Sequence, residues 1–266
     1  LKGDLVAAAP YAEWVEEHLH PLSELPEGKP APKLDAERLR EQQIAFGYSL
    51  EDLKYILGPM VNNSEEAIGS MGSDTPLAVL SNRAQPLYNY FQELFAQVTN
   101  PPLDAIREEL VTSAYTAIGP EGNLLNTGLE DVDLVKVESP VLDNAGMAKI
   151  KALHDHPTLQ SAVISTIFTA ADGEEGLEAA IERVFADADA AIRAGAKILV
   201  LSDRGVDETH APISALLAVA GLHNHLVRDR KRTQVGIVLE TGEPREVHHF
   251  ALLIGYGASA INPYLA

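Results

Sequence analysis

The segment GAKILVLSDR, residues 195–204, sets a short run of aliphatic residues between a glycine and a group of polar side chains. Residues 197–201 are rich in β-branched and aliphatic side chains, which is typical of a strand. The preceding residues, 175–194, have the spacing of an amphipathic helix, and Gly195 supplies a residue at which such a helix ends. The segment therefore predicts a helix followed by a strand with polar residues at its carboxyl end.

The same alternation of strand and helix continues on both sides of this segment. Strands are predicted over residues 161–168, 197–201, 234–240 and 258–262. Helices are predicted between them, over residues 175–194, 211–228 and 244–254. Strands separated by helices form parallel βα units with right-handed crossovers. The fold class is therefore α/β, and both a doubly wound sheet and a segment of a barrel satisfy the pattern.

The amino-terminal part of the chain predicts a mainly helical region. Residues 11–20 have helical spacing and lead into a proline- and glycine-bearing segment, residues 21–32, which we interpret as a connector. Further helices are predicted over residues 36–46, 50–61 and 87–98. The run Asn100-Pro101-Pro102 ends the last one, because proline disfavours the helical conformation of the residue before it. We expect a connector over residues 1–42 and one domain over residues 43–266.

Charge and composition exclude several classes of function. Of the 266 residues, 46% are hydrophobic and 22% are charged, as in ordinary globular proteins. The 39 acidic residues exceed the 20 basic ones, and the formal net charge of -19 repels nucleic acid. The sequence contains neither an apolar run long enough to cross a membrane nor a secretion signal. Nucleic acid and membranes are therefore not expected partners.

The absence of cysteine narrows the chemistry further. A chain with no cysteine has no disulfide, no thiolate nucleophile and no cysteine-ligated zinc ion or iron–sulfur cluster. This composition fits a cytoplasmic protein. The chain begins at Leu1 rather than at methionine and ends at Ala266 without a polar tail, which indicates a piece of a longer polypeptide.

Polar residues at the carboxyl ends of the predicted strands are the first candidates for a functional site, because parallel α/β folds bind their ligands there. The candidates are Ser202, Asp203, Arg204, Glu240 and Asn262. Asp203, Arg204 and Glu240 carry opposite charges and could pair with one another. Their role stays open between a ligand site and a rim network of polar groups that satisfy each other.

Other motifs give no support to nucleotide, metal or hydrolase chemistry. Gly255 and Gly257 follow a predicted helix and precede a strand, the reverse of the order in a phosphate-binding loop. His223 and His225 are about 200° apart around a helix axis, so they cannot chelate one ion together. The sequence contains no Gly-x-Ser-x-Gly motif, and no metal site is predicted.

Nine longer motifs resemble the central domain of glutamate synthase. They are GSMG (69–72), DTPLAVLS (74–81), YFQELFAQVTNPP (90–102), REEL (107–110), GPEGNLL (119–125), LSDR (201–204), VHHF (247–250), IGYGA (254–258) and AINPY (260–264). The resemblance covers about residues 43–266. The opening residues resemble the connector that leaves the amidotransferase domain of that family.

The resemblance implies a part in making glutamate from glutamine and 2-oxoglutarate. In the parent enzyme an amino-terminal cysteine hydrolyses glutamine, and the ammonia passes through an internal tunnel to a flavin domain that also helps to hold an iron–sulfur cluster. The central domain is implied to be similar in topology to the flavin-binding barrel domain, while FMN and the cluster belong to other parts of the parent. The domain itself is implied to have no cofactor and no enzymatic activity. Its implied partners are the amidotransferase and flavin-binding domains of the same polypeptide, in the cytoplasm or in a plastid-like compartment of a plant.

The resemblance also implies roles for two residues, since it places the motif VTNPP (98–102) beside the constriction of the tunnel. Thr99 and Asn100 are then the tunnel-lining residues, and their hydroxyl and amide groups can hydrogen-bond passing ammonia or a gating loop. The alternative is that both residues only cap the end of a helix. For the whole chain two alternatives stay open: a free-standing α/β enzyme that binds flavin or a sugar phosphate at its strand ends, and an interaction module without a link to catalysis.

Overall fold

Strands and helices alternate in the carboxyl-terminal half of the chain, and short helices dominate the amino-terminal part. The computed structural model describes residues 3–4, 7–65, 67, 76–91, 102–122 and 133–266. Its strands are β1 (Leu19–Pro21), β2 (Thr116–Ile118), β3 (Leu134–Val137), β4 (Ser161–Ser165), β5 (Ile167–Thr169), β6 (Ile198–Ser202), β7 (His210–Pro212), β8 (Gly236–Thr241) and β9 (Ala260–Pro263). Its α-helices are α1 (Tyr11–His18), α2 (Ala36–Ala45), α3 (Gly58–Asn63), α4 (Ala105–Val111), α5 (Asn144–Lys151), α6 (Gly173–Arg193), α7 (Ala215–Arg228) and α8 (Val247–Gly255).

Short helical turns fill several of the connections. Turns of 3-10 helix cover Leu22–Glu24, Ala78–Leu80, Leu87–Tyr90, Ala152–Asp155, Ala170–Asp172 and Arg232–Gln234, and a π-helical turn, Asp52–Leu57, leads into α3. None of the helices in the described ranges combines the length and the apolar composition that a membrane span requires.

Aspartates fix the start of several helices in the described ranges. The side chain of Asp35 accepts a hydrogen bond from the backbone N–H of Arg38 at the start of α2. Asp143 does the same for the N–H of Gly146 at the start of α5. Such caps satisfy N–H groups that have no partner within the helix. The other end of a helix is marked at Gly195, whose φ of +104° terminates α6 before β6 begins.

A sheet of four parallel strands forms the centre of the fold, as the sequence predicts. The strands lie in the order β4-β6-β8-β9, which is also their order along the chain. Every residue of β6 and β8 is buried, since both faces of the sheet are covered. A doubly wound sheet reverses its strand order at a switch point, and this sheet does not. The doubly wound alternative is therefore wrong for the described sheet.

Helices α6, α7 and α8 cover one face of this sheet. Alternate strand residues such as Leu199, Leu201, Ile237 and Leu239 pack in the same buried cluster as residues of these helices, with Val184 from α6 and further members from α7 and α8. Because right-handed crossovers between sequential parallel strands bring their helices to the same side, this one-sided layer follows from the strand order.

The other face of the sheet packs against a small second sheet and helix α5. That second sheet has the order β1-β3-β2, with β1 parallel and β2 antiparallel to β3. The intervening strand residues of the main sheet, Ile198, Val200 and Val238, share a buried cluster with Val135 of β3 and Ile150 of α5. The sequence analysis predicted none of these covering elements except the connector, because strands of three or four residues give too short a pattern.

The amino-terminal helical region lies over the carboxyl ends of the main strands. A third buried cluster joins Phe46 and Tyr48 to Tyr264 and Leu265, which follow β9, and to Val206, which follows β6. Leu34, Leu39, Leu53 and Leu57 pack against this cluster. We call residues 34–57 the rim cap.

Two predicted elements of the carboxyl-terminal half differ clearly from the observed ones. The strand predicted over 161–168 is two strands in two sheets, β4 and β5, because the backbone of Thr166 bonds to Ser202 and Ile213 between them. The helix predicted over 211–228 starts only at Ala215, since β7 occupies the preceding residues and its Pro212 biases the residue before it towards an extended conformation.

The amino-terminal helices differ in length and type from the prediction. Helix α1 ends at His18, and the next three residues pair with β3. The helix predicted over 87–98 is a 3-10 turn over Leu87–Tyr90 followed by an extended Phe91, and the remainder lies outside the described residues. The side chain of Tyr88 is drawn into the core in this turn, so tertiary contacts override the helical period.

Candidate functional site

The carboxyl ends of the main strands bring Ser202, Glu240 and Asn262 together. These residues lie opposite one another in the pairing of β6 with β8 and of β8 with β9, so their side chains share one face of the sheet. Glu240 is 2% exposed and accepts a hydrogen bond of 2.6 Å from the Ser202 hydroxyl. Lys151 Nζ and Arg204 Nε each lie 3.0 Å from a carboxylate oxygen of Glu240. We call this group the Glu240 network.

The charges of the Glu240 network stabilise the ionised carboxylate. Burial by itself would raise the pKa of Glu240, but the hydrogen bonds from Ser202 and Lys151 and the charges of Lys151 and Arg204 outweigh it and lower that pKa. Each oxygen of the carboxylate has at least one donor. Both oxygens of Glu240 are therefore occupied by hydrogen bonds from neighbouring side chains of the same chain.

Asn262 and Arg204 extend the network to Asn144 at the start of α5. Arg204 Nη2 and Asn262 Nδ2 both donate to Asn144 Oδ1 over 3.3 Å, and Asn262 Nδ2 also lies 2.9 Å from the carbonyl oxygen of Leu142. The guanidinium of Arg204 lies over the ring of Tyr264, 3.8 Å from its centroid. Asn262 Oδ1 is the one buried side-chain nitrogen or oxygen of this group without a hydrogen-bond partner among the described residues.

Asp203 does not join the Glu240 network, although it precedes Arg204 in the chain. Its carboxyl group accepts a hydrogen bond of 2.7 Å from the Tyr264 hydroxyl and contacts of 3.2 Å and 3.3 Å from the N–H of Gly242. Burial raises its pKa to about 7, against hydrogen bonds from Thr241 and Tyr264 that lower it. Of the three charged residues expected to pair, the structure brings together only Arg204 and Glu240.

The loop after β8, residues 242–246, holds polar residues that sequence analysis missed. We call it the β8–α8 loop. The Tyr48 hydroxyl donates to the carbonyl oxygen of Gly242 over 3.0 Å, and the Tyr88 hydroxyl donates to Glu243 Oε2 over 2.9 Å. A Cβ added to Gly242 would lie 2.6 Å from Leu265, so the loop backbone is closely packed. The charged residues of the loop were visible in the sequence, but their tyrosine partners are more than 150 residues away.

Arg245 and His249 complete the contacts of the β8–α8 loop. The guanidinium of Arg245 lies 4.3 Å from the centre of the Tyr48 ring and 3.6 Å from an oxygen of Asp52. The backbone N–H of Arg245 donates to His249 Nδ1, and His249 Nε2 in turn lies 3.0 Å from Glu246. This arrangement requires the tautomer of His249 with the proton on Nε2.

In the described part of the chain, a small cleft lies between the rim cap and the Glu240 network. The cleft has a volume of about 200 Å³ and is lined by Lys33, Leu34, Leu39, Asn144, Arg204 and Tyr264, among others. Pockets that hold cofactors or drug-sized ligands typically have volumes of about 300–1,000 Å³. A wider recess of about 600 Å³ lies between α2 of the cap and residues 206–209.

Comparison with known proteins decides the family. A family model described as the glutamate synthase central domain matches residues 41–266. The chain belongs to this family. The resemblance drawn from the sequence motifs is thereby confirmed.

Long glutamate synthase chains are the relatives of this central domain. It is 47% identical to the glutamate synthase [NADPH] large chain of Bacillus subtilis (strain 168), over the whole of this chain and 17% of the relative. It is 39% identical to the corresponding large chain of Azospirillum brasilense, over the whole of this chain and 18% of the relative. It is 40% identical to ferredoxin-dependent glutamate synthase 2 of Synechocystis, over 97% of this chain and 16% of the relative. The chain therefore spans about a sixth of these relatives.

The two predicted tunnel residues of the central domain, Thr99 and Asn100, lie outside the described residues, in the segment 92–101. The same holds for the glycine motif at residues 69–72. The nearest described residue before Thr99 is Phe91, whose ring contacts Tyr256 with a centroid distance of 5.7 Å. The nearest described residue after Asn100 is Pro102.

In the described part of the central domain, one group of side chains has the composition of a metal site. It consists of Asp189, His225 and Asp229. Lys231 Nζ lies 2.8 Å from Asp189 and 2.9 Å from Asp229, so an ammonium group already bridges both carboxylates. His225 is held by Asp189 and by stacking on Phe185. His223 contacts a different group, Arg232, over 3.0 Å. The cluster links α6 to the end of α7 as a set of ion pairs.

Proposed function

We propose that this chain is a spacer and tunnel-shaping domain of a glutamate synthase, joining an amidotransferase domain to a flavin domain. In this proposal the parent polypeptide makes glutamate from glutamine and 2-oxoglutarate, and the central domain helps to form the path along which ammonia travels between the two reactions. The observation that carries the proposal is the closed carboxyl rim of the sheet. The position where a parallel α/β fold normally binds its ligand is filled by the chain's own side chains and covered by the rim cap.

The side chains of the rim support a structural role by their hydrogen bonding. A catalytic acid or base needs a proton-transfer partner in a substrate, and a nucleophile needs a free base beside it. Here the Ser202 hydroxyl donates to a carboxylate that already binds two cations, and Ser214 donates to Glu243. The parent's glutamine-hydrolysing cysteine has no counterpart, since the chain contains no cysteine. We expect neither glutaminase nor glutamate-forming activity from the domain alone.

The strand order supports a topological similarity to the flavin-binding barrel domain of the same enzyme. Sequential parallel strands whose connecting helices lie on one face are the arrangement of a barrel segment. In a barrel with an open rim, the carboxyl ends could hold FMN, whereas the rim cap occupies that position here. FMN and an iron–sulfur cluster would then belong to the rest of the polypeptide, where cysteine ligands can be supplied.

Thr99 and Asn100 are proposed to line the tunnel, where a hydroxyl and an amide can exchange hydrogen bonds with ammonia. The parent would act in the cytoplasm, or in a plastid if it comes from a plant. The relatives include proteins named as chloroplastic ferredoxin-dependent glutamate synthases, from Spinacia oleracea among others.

The test is the coupling of the two reactions in the intact enzyme. Asn100→Leu places a bulky apolar side chain where a small polar one is proposed to border the tunnel. We expect more glutamine to be hydrolysed for each 2-oxoglutarate converted, while glutamate formation from added ammonium salts is retained. Asn62→Leu is the matched control, because Asn62 is exposed on α3. An unchanged ratio in a folded Asn100→Leu enzyme would remove the tunnel role.

A further inference from the structure

The end of helix α7 places a histidine and an aspartate on the same helical face. His225 lies in the last turn of α7, and the backbone N–H of Asp229 donates to the carbonyl oxygen of His225, so Asp229 lies one helical turn further along. Residues four apart on a helix are neighbours on its surface. Asp189, one turn before the end of α6, completes a group of three side chains. We call this group the Asp189 cluster.

The atoms of the Asp189 cluster have the spacing of ligands around one metal ion. His225 Nε2 lies 3.2 Å from Asp189 Oδ2 and 3.9 Å from Asp229 Oδ2, and one ligand atom of each residue lies within 4.8 Å of those of the other two. In a tetrahedral zinc site with bonds of about 2.1 Å, two ligand atoms are about 3.4 Å apart. Small side-chain movements would therefore bring all three residues to one ion, with a fourth position open to water.

The ammonium group of Lys231 marks the place where this cluster holds a positive charge. Lys231 Nζ lies 2.8 Å from Asp189 Oδ1 and 2.9 Å from Asp229 Oδ2. Burial by itself would raise the pKa of Asp189, but hydrogen bonds from Lys231 and His225 outweigh it and lower that pKa. Asp189 is therefore an ionised ligand, and the cluster is already arranged around a cation.

The backbone at Lys231 is fixed independently of this ammonium group. Arg230 has a left-handed φ of +58°, which turns the chain back so that the N–H of Lys231 donates to the carbonyl oxygen of Leu226 over 2.8 Å. The side chain of Lys231 is half-buried, and its four-carbon stem is flexible. Lys231 can therefore turn into solvent without moving Asp229 or α7. A divalent ion would bring twice its charge to the same carboxylates.

The types of ligand in the cluster favour zinc. An imidazole nitrogen together with carboxylate oxygens suits zinc, whereas magnesium and calcium prefer oxygen ligands alone. The ring of His225 is held by stacking on Phe185, at a centroid distance of 4.8 Å and an interplanar angle of 5°. Its Nε2 can bind a metal when the neutral ring carries its proton on Nδ1. The stacked ring thus presents one nitrogen in a fixed direction to both carboxylates.

We propose that Asp189, His225 and Asp229 form a binding site for zinc, in which the ion displaces the ammonium group of Lys231. Helix α6 ends shortly before β6 begins, and α7 ends shortly before β8, so the site lies at the amino ends of the strands, opposite the carboxyl rim. The ion joins α6 to the end of α7 and stabilises the folded chain, because the unfolded chain does not hold the three ligands together. The inference depends neither on a tunnel nor on any role of the rim.

The experiment is a calorimetric titration of the purified 266-residue chain with zinc chloride, after metal has been removed with a chelator. We expect saturable binding of one zinc ion per chain and a thermal unfolding midpoint that rises with zinc concentration. His225→Ala and Asp189→Asn should each weaken binding by at least about tenfold, since each removes a ligand. Lys231→Met should bind zinc about tenfold more tightly, because the ion no longer has to displace a competing cation.

His154→Ala is the matched control. His154 Nε2 lies 2.9 Å from Asp155 at the surface, but no third ligand group in the described part of the chain is close enough to share an ion with them. Lys231→Gln, which keeps a neutral donor beside the carboxylates, replaces Lys231→Met if that variant does not fold. An equal loss of binding in His154→Ala and His225→Ala would indicate an adventitious ion only and overturns the inference. So do the absence of saturable binding to the natural chain and binding that is no tighter in the folded Lys231 variant.

Discussion

Glu240 and Glu243 lie three residues apart at the end of the same strand, yet their surroundings have opposite effects on them. The Glu240 carboxylate binds the cations of Lys151 and Arg204, and its pKa is lowered despite burial. The Glu243 carboxyl group binds neutral donors, and burial raises its pKa even though Tyr88, Ala215 and Ser214 donate hydrogen bonds to it. Glu240 neutralises charge within the rim, whereas Glu243 joins distant segments of the chain.

The comparison shows how one rim can be closed by two kinds of contact. The Glu240 network is built from residues at the strand ends and in the nearby helix α5. Its main contacts join the Glu240 carboxylate to the cations of Lys151 and Arg204. The contacts of the β8–α8 loop come from tyrosines of the amino-terminal region and depend on burial and directed hydrogen bonds. Substitutions at the two places should therefore change the free energy of unfolding by different amounts and with a different dependence on pH.

The largest effect is expected from Glu240→Ala. The change leaves Lys151 and Arg204 without their shared counter-ion and removes the acceptor of Ser202. We expect the free energy of unfolding to fall by about 3–5 kcal/mol, the cost of breaking a buried ion pair. Urea denaturation of the 266-residue chain measures it, with the exposed Glu208→Ala as the control. A loss as small as that of the control would show that the network contributes no stability.

The next effect is a pH dependence that comes from Asp203. Its folded-state pKa of about 7 lies above the ordinary value of 3.8. The folded state therefore binds a proton that the unfolded state has released, and this contribution to stability is present below the ordinary pKa and is lost as pH rises towards 7. Between about pH 5 and pH 7 the free energy of unfolding of the natural chain should therefore decline by about 2 kcal/mol on account of Asp203, and Asp203→Asn should remove this decline.

The control for Asp203 is Asp207→Asn. Hydrogen bonds from the backbone and side chain of Thr209 and from His210 lower the pKa of Asp207, so its contribution is lost only as pH falls below its ordinary range. Between about pH 5 and pH 7 the stability difference between the natural chain and Asp207→Asn should stay constant. A constant difference for Asp203→Asn as well would mean that Asp203 titrates normally.

The smallest effect is the difference between Tyr88→Phe and Tyr48→Phe. Hydrogen bonds to charged acceptors contribute about 1.5–3 kcal/mol, and those between neutral groups about 0.5–1.5 kcal/mol. Tyr88 donates to the Glu243 carboxyl group and Tyr48 to a backbone carbonyl. At about pH 8 we expect Tyr88→Phe to destabilise the chain by about 1 kcal/mol more than Tyr48→Phe does. Equal losses in urea denaturation would indicate that Glu243 accepts as a neutral group.

The parallel strands were predictable because they are long and β-branched, and because glycines and polar residues mark their ends. Residues 197–201 and 234–240 correspond closely to β6 and β8. Strands β1, β2 and β3 could not be recognised, since three or four residues do not establish a period of two. The turn at Tyr88 was mistaken for a helix because its conformation depends on contacts with Glu243 and His249, which are remote in sequence.

The candidate site was predictable in its members but only partly in its pairing. Ser202, Glu240 and Asn262 follow from the rule that parallel strands end at the same edge. Asp203 and Arg204 are adjacent in sequence just beyond the end of β6, yet Arg204 binds Glu240 whereas Asp203 accepts from Tyr264, and sequence adjacency alone could not separate these two partners. The tyrosine partners of the rim could be found only from the three-dimensional structure.

The most direct test of a closed, non-catalytic rim is a titration of the purified chain with FMN, followed by visible absorption and flavin fluorescence. We predict a colourless protein that takes up no stoichiometric flavin, because the rim cap and the Glu240 network occupy the strand ends. Saturable binding of one flavin per chain, weakened by Arg204→Ala at the strand-end cleft, would contradict the proposal and favour an enzyme that binds its cofactor there.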